Sequence, residues 1–462
     1  MPTQRLGHTC RIPYATDLLR LHAQAPGRYP ALIESAADDT RLGRFDILFA
    51  CPRDCLRLDA DGALSGPAAA DAGGFLAAFD EWWQRECIPP GDHDTLPFVG
   101  GWFVLLGYEL ANEIEPRLEL APDARQPVAV ALRIPVAIVR DRETECAWIV
   151  AEEGSETDIA LVQADIDGLD IDGLHGAAPR ARGALIGALA EPDPEHFLDA
   201  VRQAQDRIAA GDVYQCNLSR EWTARLVNGV GAVEVYAGLR AANPAPFAGL
   251  LTLPDMSVIS SSPERLLRTD GRFVETRPIA GTRPRVAGDD DDDRRGELLG
   301  NPKERAEHVM LIDLERNDLG RICRPGSVEV DEFMVMESYT HVHHIVSNVR
   351  GRLRDGTTPG TIIRSVFPGG SITGCPKVRC MEIIRELENR PRGAYTGAMG
   401  YINRDGSADL NILIRTIVLT GDEVSIAAGS GIVADSDPRH ELDETRAKAR
   451  GLLLALLGPE AA

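Results

Sequence analysis

Residues 193–211 read DPEHFLDAVRQAQDRIAAG, and they open the part of the chain in which the fold is most readable. Asp193 is a favoured helix cap, Pro194 suits the first turn, and the acid that follows suits the positive end of a helix dipole. Apolar residues then recur at spacings of three and four until Gly211. This pattern predicts an amphipathic helix that ends at Gly211.

Helices and strands follow one another irregularly on both sides of this helix. The predicted strands are 257–262, 271–279, and a hairpin of Leu410–Leu419 with Val424–Ala428 around Thr420–Glu423. The further predicted helices are Lys303–Leu314, Val378–Leu387 and Glu441–Leu457. Because a parallel doubly wound sheet would alternate regularly, this order predicts an α+β fold with mixed or antiparallel sheets.

The distribution of apolar runs and turn residues divides the chain into two regions. Residues 1–185 mix short apolar runs with polar turns, whereas residues 191–457 show clear helix and strand patterns. Residues 152–190 are acidic and then rich in Gly and Ala, which predicts a connecting segment or a lightly packed surface helix. We therefore expect an N-terminal region followed by a second domain.

Composition excludes several classes of protein. Apolar residues make up 44% of the 462 residues and charged residues 26%, which is globular rather than disordered. The 49 basic and 71 acidic residues give a net charge of −22, so we expect no nucleic-acid or membrane partner. Nine Cys without paired spacing and a start without an apolar leader core predict reduced thiols and a cytoplasmic protein.

Two carboxylate-bearing segments offer chemistry. Glu441, Glu444 and Lys448 share one face of a predicted helix, and Glu304 and Glu307 lie three apart on another. Two helices that each offer a Glu would suit Mg²⁺, which prefers a few carboxylates plus substrate oxygens and water. An ordinary exposed Glu444/Lys448 pair explains the spacing equally simply.

Two glycine-rich turns and one acidic run also stand out. Phe367–Lys377 precedes a helical run and Ala428–Gly431 follows the hairpin, so the backbone N–H groups of either turn could cradle an anion. A tight turn without a ligand explains each of them as well. The run Asp289–Asp293 is predicted to be a solvated loop, since five adjacent acids cannot all face one ion.

Seven segments, taken in their order along the chain, carry a resemblance to a known family. They are Gly211–Ser219, Ser262-Pro-Glu-Arg265, Arg277–Thr282, Lys303–His308, Asp313–Gly320, Phe367–Lys377 and Gly429–Ser436. The chain resembles the chorismate-utilising enzymes, which include the anthranilate, aminodeoxychorismate, isochorismate and salicylate synthases. The resemblance implies sheets packed together with helices outside, and it extends more loosely to Tyr29–Ser35 and Gly100–Glu109.

The resemblance implies a role for each matching residue. Glu264 takes the place of the general acid, and His344 that of an active-site histidine. Mg²⁺ would be held by Glu307, Glu444 and Glu441. Chorismate would be held by Tyr395, Arg415, Gly431, Lys448, Thr282, Ser371 and Thr373.

Gln215 indicates the nucleophile. The water-using members of the family place a lysine base at this position, and glutamine cannot accept a proton. Ammonia needs no such base, so the resemblance favours an aminating enzyme. No Cys lies in a Gly-x-Cys-x-Gly elbow, so we expect a separate glutamine amidotransferase partner to supply ammonia.

The two aminating branches each have support. Tyr214–Leu218 and the Gly370–Thr373 turn resemble aminodeoxychorismate synthase component I, and we weigh these two segments most heavily. Ala280 instead matches anthranilate synthase component I, and Leu32-Ile-Glu-Ser35 resembles its tryptophan-sensing segment, which implies tryptophan at an N-terminal site. A non-catalytic ligand sensor on the same fold is the remaining alternative.

Overall fold

The structure is a computed structural model that describes most of the chain. The described residues are 8–35, 43–70, 72–89, 96–171, 183–284, 296, 300, 302–338 and 342–458. Within these ranges the side chains of residues 170–171, 280, 282–284, 302–304, 338 and 342–343 fall outside the description. The predicted loop Asp289–Asp293 and the side chains of Ala280, Thr282 and Glu304 therefore lie outside the described residues.

Helices occur along the whole described part of the chain. They are α1 (Leu18–Gln24), α2 (Phe75–Glu86), α3 (Ala111–Ile114), α4 (Glu156–Ile171), α5 (Pro194–Ala209), α6 (Ala232–Ala242), α7 (Pro302–Gly320), α8 (Pro359–Val366), α9 (Lys377–Glu388) and α10 (Pro438–Leu457). Short 3-10 turns lie at Tyr108–Leu110 and Pro116–Leu118.

The strands are mostly short. They are β1 (His8–Ile12), β2 (Ala31–Glu34), β3 (Phe45–Ala50), β4 (Cys55–Leu58), β5 (Leu64–Ser65), β6 (Gly101–Leu106), β7 (Ala129–Ile134), β8 (Val136–Asp141), β9 (Cys146–Ala151), β10 (Gln215–Arg225), β11 (Phe247–Thr252), β12 (Ser257–Ser262), β13 (Arg265–Asp270), β14 (Phe273–Thr276), β15 (Ile279–Pro284), β16 (Glu329–Ser338), β17 (Val342–Arg352), β18 (Gly374–Cys375), β19 (Ala398–Asn403), β20 (Ser407–Asn411), β21 (Thr416–Thr420) and β22 (Glu423–Ile432).

Two antiparallel sheets organise these strands. The first has the order β1-β9-β8-β3-β2-β11-β12-β21-β22-β10-β18. The second has the order β15-β17-β14-β13-β20-β19-β6-β7-β4-β5, with β16 paired to β17. The α+β expectation is confirmed, and every strand pair in the described residues is antiparallel.

The sheets pack face to face with helices on their outer sides. In β6 the side chains of Phe103 and Leu105 join a core between the sheets, whereas those of Trp102 and Val104 join a core on the outer face. This alternation follows from the period of two along a strand. The result is a four-layer arrangement in which both faces of each sheet are buried.

Strands from the two sequence regions share both sheets. In the first sheet β2 pairs with β11, and in the second β6 pairs with β19. Helix α4, within the predicted connecting segment, packs Val162 and Ile166 into the core of the first sheet. The expectation of light packing there is therefore wrong, and the boundary near residue 185 stays a prediction.

Most of the predicted elements are confirmed with shifted ends. The strand at 257–262 is confirmed, and Asp193 caps α5 by accepting a hydrogen bond from the Glu195 backbone N–H. The single strand Leu410–Leu419 is wrong, because the chain breaks between β20 and β21 where Arg415 has a left-handed φ of 52°. The predicted strand 271–279 likewise shortens to β14. Among the described residues, no helix combines the length and apolar character that a bilayer span requires.

Candidate active site

Glu264 lies in the connection between β12 and β13 and is only 6% exposed. The Ser371 Oγ–H donates to Glu264 Oε1 at 2.6 Å. Burial raises the pKa of Glu264 from 4.5 to about 7, against the opposing effects of the Ser371 hydroxyl and the Lys448 charge. A carboxyl with this pKa is available as a proton donor near neutral pH.

The turn between α8 and α9 brings Ser371 to the acid. Thr373 Oγ1 donates to the Gly369 carbonyl at 2.8 Å, so its hydroxyl holds the turn together. The backbone N–H of Asn217 in β10 donates to the Thr373 carbonyl at 3.0 Å, and Asn217 Nδ2 donates to the Ser371 carbonyl at 3.5 Å. Substrate contact by Ser371 or Thr373 stays a prediction.

The first three turns of α10 present charged side chains on one face. Lys448 Nζ lies 2.6 Å from Glu444 Oε1 and donates to the Gly429 carbonyl at 3.0 Å. Burial raises the pKa of Glu444, but the charge and hydrogen bond of Lys448, together with His440 and Ser430, hold the pKa below its usual value. Glu441 is buried and accepts a hydrogen bond from Ser430 Oγ.

Tyr395 and Arg415 join this group from two other segments. A Cβ on Gly429 would lie 2.9 Å from the Tyr395 hydroxyl, which places that hydroxyl beside the carbonyl that Lys448 contacts. Burial lowers the pKa of Arg415, while the fields of Tyr395 and Glu444 raise it. The Arg415 guanidinium is therefore within electrostatic reach of a phenol and a carboxylate.

Gln215 and Gly431 face Glu307 at the start of β10. Gln215 Nε2 donates to Glu307 Oε1 at 2.8 Å. Gly431 leaves room for that amide, because a Cβ there would lie 2.3 Å from Gln215 Nε2. Gln215 Oε1 is buried and has no hydrogen-bond partner among the residues that the structure describes.

His344 lies in β17, next to the edge strand β15 of the second sheet. It is 7% exposed in β17, directly opposite the backbone of Thr282 in β15. The side chain of Thr282 lies outside the described residues, so its predicted substrate contact stays a prediction. The pairing of β15 with β17 still places the two predicted residues side by side.

The donor set on α10 fits a hard divalent cation. His440, Glu441 and Glu444 each offer one ligand atom within 4.8 Å of the others. Glu307, which reaches the region from α7, is not a member of this group. The two carboxylates of α10 match the preference of Mg²⁺ for oxygen ligands with open positions for substrate and water. His440, at i−4 from Glu444, is a donor that the sequence reading missed although its helical spacing signals it.

A cavity of about 1070 Å³ adjoins this site. Gln215 and Glu307 form part of its wall, together with Asp318, Lys377 and the apolar side chains of Met310 and Leu314. Among the described residues, Glu264, Tyr395, Arg415 and Lys448 are not part of its lining. The cavity is therefore a neighbouring space that meets the candidate site at Gln215.

Together these residues supply a buried carboxyl with a raised pKa, two cationic side chains and three possible cation ligands on α10. Residues 59–454 match the family model described as chorismate binding enzyme, and the chain belongs to this family. It is a chorismate-utilising enzyme of the anthranilate and aminodeoxychorismate synthase type.

Relatives from both branches are similar to the chain. Aminodeoxychorismate synthase component 1 of Bacillus subtilis is 42% identical over 82% of this chain and 82% of its own length. Anthranilate synthase component 1 of Thermus thermophilus is 39% identical over 96% of both chains. The crystal structure of anthranilate synthase component I from Streptococcus pneumoniae superposes with a TM-score of 0.77 at 30% identity, covering 90% of this chain and 93% of that one.

Proposed function

We propose that the protein acts as aminodeoxychorismate synthase component I, converting chorismate and ammonia to 4-amino-4-deoxychorismate. The observation that supports this proposal most directly is that the two segments resembling that enzyme, Tyr214–Leu218 and the Gly370–Thr373 turn, contact each other beside Glu264. Asn217 of the first segment hydrogen-bonds the backbone of Thr373 in the second, whose Ser371 holds Glu264. The similarity to the Bacillus subtilis enzyme supports the same branch.

In this proposal Glu264 protonates the departing C4 hydroxyl. Hydroxide is a poor leaving group, so a positioned acid is required, and the raised pKa leaves a substantial fraction of this carboxyl protonated near pH 7. Arg415, Lys448 and Tyr395 hold the carboxylates of chorismate against the net charge of −22. Because Gly431 has no side chain, the substrate can come close to its backbone.

Magnesium is part of the same proposal. Glu307, Glu441 and Glu444 would hold the ion, with His440 as a further donor. When bound, Mg²⁺ supplies electrostatic stabilisation to a carboxylate of the substrate. The fit rests on the oxygen-rich donor set of α10 and on Glu307, which Gln215 Nε2 orients.

Gln215 would position ammonia. Its Nε2 already donates to Glu307, whereas its buried Oε1 accepts no hydrogen bond from the described residues. Ammonia has N–H donors that can satisfy this oxygen, and a buried acceptor left without a donor costs about 1–3 kcal/mol. A glutamine amidotransferase partner would deliver the ammonia.

Anthranilate synthase component I is the second candidate. Ala280 favours it, and so does the similarity to the Thermus thermophilus enzyme. In this case amination at C2 and loss of pyruvate would give anthranilate. A non-catalytic sensor is disfavoured because the acid, the cationic side chains and the carboxylate cluster are all present.

Product identity decides between the candidates. Purified protein is mixed with chorismate, Mg²⁺ and ammonium salt, with and without a lyase that releases 4-aminobenzoate. We expect 4-aminobenzoate only when the lyase is present. Fluorescent anthranilate without the lyase would establish the second candidate, and no product with either would support the sensor.

The partner is tested in the same assay. Glutamine should replace ammonium salt only after a glutamine amidotransferase is added. Glutamine-dependent turnover by this chain alone would contradict the proposed partner. Turnover with EDTA in place of Mg²⁺ would contradict the proposed ion.

We also propose that tryptophan binds beside Leu32-Ile-Glu-Ser35. A cavity of about 470 Å³ is lined there by Ile33, Phe45, Phe247 and Tyr401, together with charged side chains such as Arg265 and Asp409, which would suit an aromatic amino acid zwitterion. L-Tryptophan should raise the melting temperature, with L-phenylalanine as the matched control. An unchanged melting temperature at millimolar tryptophan would refute this site.

A further inference from the structure

Ser430 of β22 lies in a row of otherwise apolar side chains that faces α10. Residues two apart on a strand share a face, and Ile426 and Ala428 pack on this face into the core that contains Ala449 and Leu452 of α10. Ser430 itself is 1% exposed. A buried hydroxyl is unfavourable unless it is hydrogen-bonded, so the serine in this row indicates a specific partner on the helix.

That partner is the carboxyl group of Glu441. The Ser430 Oγ–H donates to Glu441 Oε2, and Glu441 is 7% exposed, so little water competes for this contact. A cation that approached Oε2 would lie next to the hydroxyl proton and would be repelled by it. The hydrogen bond therefore fixes the orientation of the carboxyl group and leaves Oε1 as the oxygen that can bind an ion.

The residue before Ser430 holds the same helix at a second point. Lys448 Nζ donates to the Gly429 carbonyl at 3.0 Å and lies 2.6 Å from Glu444 Oε1. Two consecutive residues of β22 therefore fix α10 on either side of Glu444. A ligand atom of Glu441 and one of Glu444 lie within 4.8 Å of each other, so the two carboxylates are held together at the spacing of a possible ion site.

Mg²⁺ and Ca²⁺ use a carboxylate in different ways. Mg²⁺ is small, demands near-octahedral geometry, keeps several waters and is bound through one or two carboxylates. Ca²⁺ is larger, accepts more oxygens in a flexible arrangement and often takes both oxygens of one carboxylate. A carboxylate that offers a single oxygen in a fixed direction therefore favours Mg²⁺ over Ca²⁺.

We propose that Ser430 makes the carboxylates of α10 selective for Mg²⁺ over Ca²⁺ by holding Oε2 of Glu441. This inference rests on the proposed magnesium site. Ser430 acts through Glu441, so it is a positioning residue and contacts neither the ion nor the substrate. Without the hydroxyl, the Glu441 carboxyl group can turn and present both oxygens, which Ca²⁺ uses better than Mg²⁺ does.

The test compares the affinities of the full-length protein for the two ions. The protein is stripped of divalent ions with EDTA and dialysed, and isothermal titration calorimetry then gives one Kd for Mg²⁺ and one for Ca²⁺. In Ser430→Ala the affinity for Mg²⁺ should fall about tenfold, the lower end of the loss expected when the hydrogen-bond partner of a metal ligand is removed. The affinity for Ca²⁺ should stay equal or rise, so the ratio of the two Kd values shifts about tenfold toward Ca²⁺.

Two matched variants control for the loss of a hydroxyl from this strand. Ser430→Thr keeps the donor and should keep the preference for Mg²⁺. Ser425→Ala removes a half-buried hydroxyl from the same strand, at the position opposite Thr223, and should leave both affinities unchanged. Circular dichroism at 222 nm confirms that each variant is folded.

Two outcomes in Ser430→Ala overturn the inference. Equal losses of affinity for both ions would mean that the hydroxyl only supports the packing of β22 on α10, and unchanged affinities would mean that Glu441 is held without it. Failure of the proposed magnesium site looks different, because the wild-type protein itself would then bind neither ion.

Discussion

Replacing Glu264 by Gln should weaken catalysis and strengthen the fold at the same time. The carboxyl is 6% exposed, and burial raises its pKa from 4.5 to about 7. Between pH 4.5 and about pH 7, Glu264 of the folded protein holds a proton that the same carboxyl of the unfolded chain has released. Stability therefore falls as the pH rises through this window, and above pH 7 the full cost of the buried charge is present.

The size of the effect follows from the shift. One pKa unit corresponds to about 1.36 kcal/mol, so the ionised Glu264 carboxylate costs about 3 kcal/mol of folding free energy above pH 7. Glutamine is uncharged in both the folded and unfolded states and has nearly the same volume. Glu264→Gln should therefore gain about 3 kcal/mol of stability relative to wild type between pH 5 and pH 8.5.

Urea unfolding at the two pH values provides the measurement. All other titrating groups are common to wild type and variant, so the change in their stability difference with pH isolates Glu264. At pH 7 the kcat of the variant should fall by about 10²–10⁴-fold, because an amide cannot supply the proton. A stability difference that is independent of pH would refute the raised pKa, and a raised KM with unchanged kcat would make Glu264 a binding residue.

Three further substitutions test neighbouring contacts. Ser371→Ala removes a donor to the Glu264 carboxylate, so the alkaline limb of the kcat profile, measured at constant free ammonia, should move up by about one pH unit; an unmoved limb would contradict the hydrogen bond. Gly431→Ala places a methyl group against the Gln215 amide and should lower kcat/KM at least about tenfold with little change in melting temperature; normal kinetics would show that the space is not needed. Glu307→Ala should nearly abolish turnover and weaken Mg²⁺ binding in calorimetry, whereas near-normal binding would remove Glu307 from the metal site.

The sequence predicted those helices and strands whose caps and apolar spacing lie within a short stretch of the chain. The cap at Asp193 and the apolar spacing behind it predict α5, and the strand 257–262 is a continuous run between turn residues. The break before β21 was missed because an arginine with a φ of 52° leaves no signal in an otherwise apolar run. The sharing of both sheets by the two sequence regions was missed because strand pairing over hundreds of residues has no local pattern.

The candidate site divides in the same way. Resemblance to a family identified Glu264, Arg415 and Lys448, since their motifs are specific. Contacts between motifs were not predictable, and the hydrogen bond from Gln215 to Glu307 is one of these.

Lys448 couples the two halves of the site. Its ammonium group lies 2.6 Å from Glu444, one of the three possible cation ligands on α10. Its positive charge acts to lower the pKa of both Glu444 and Glu264, although burial still keeps the pKa of Glu264 above its usual value. A divalent cation bound at Glu444 would neutralise the partner of Lys448 and leave the ammonium group available for a substrate carboxylate. Because coupling between two ligands is reciprocal, chorismate should then bind more tightly with Mg²⁺ present, and Mg²⁺ more tightly with chorismate present, by the same factor. In this way the close acid–lysine pair would allow a chain with a net charge of −22 to hold a dianionic substrate.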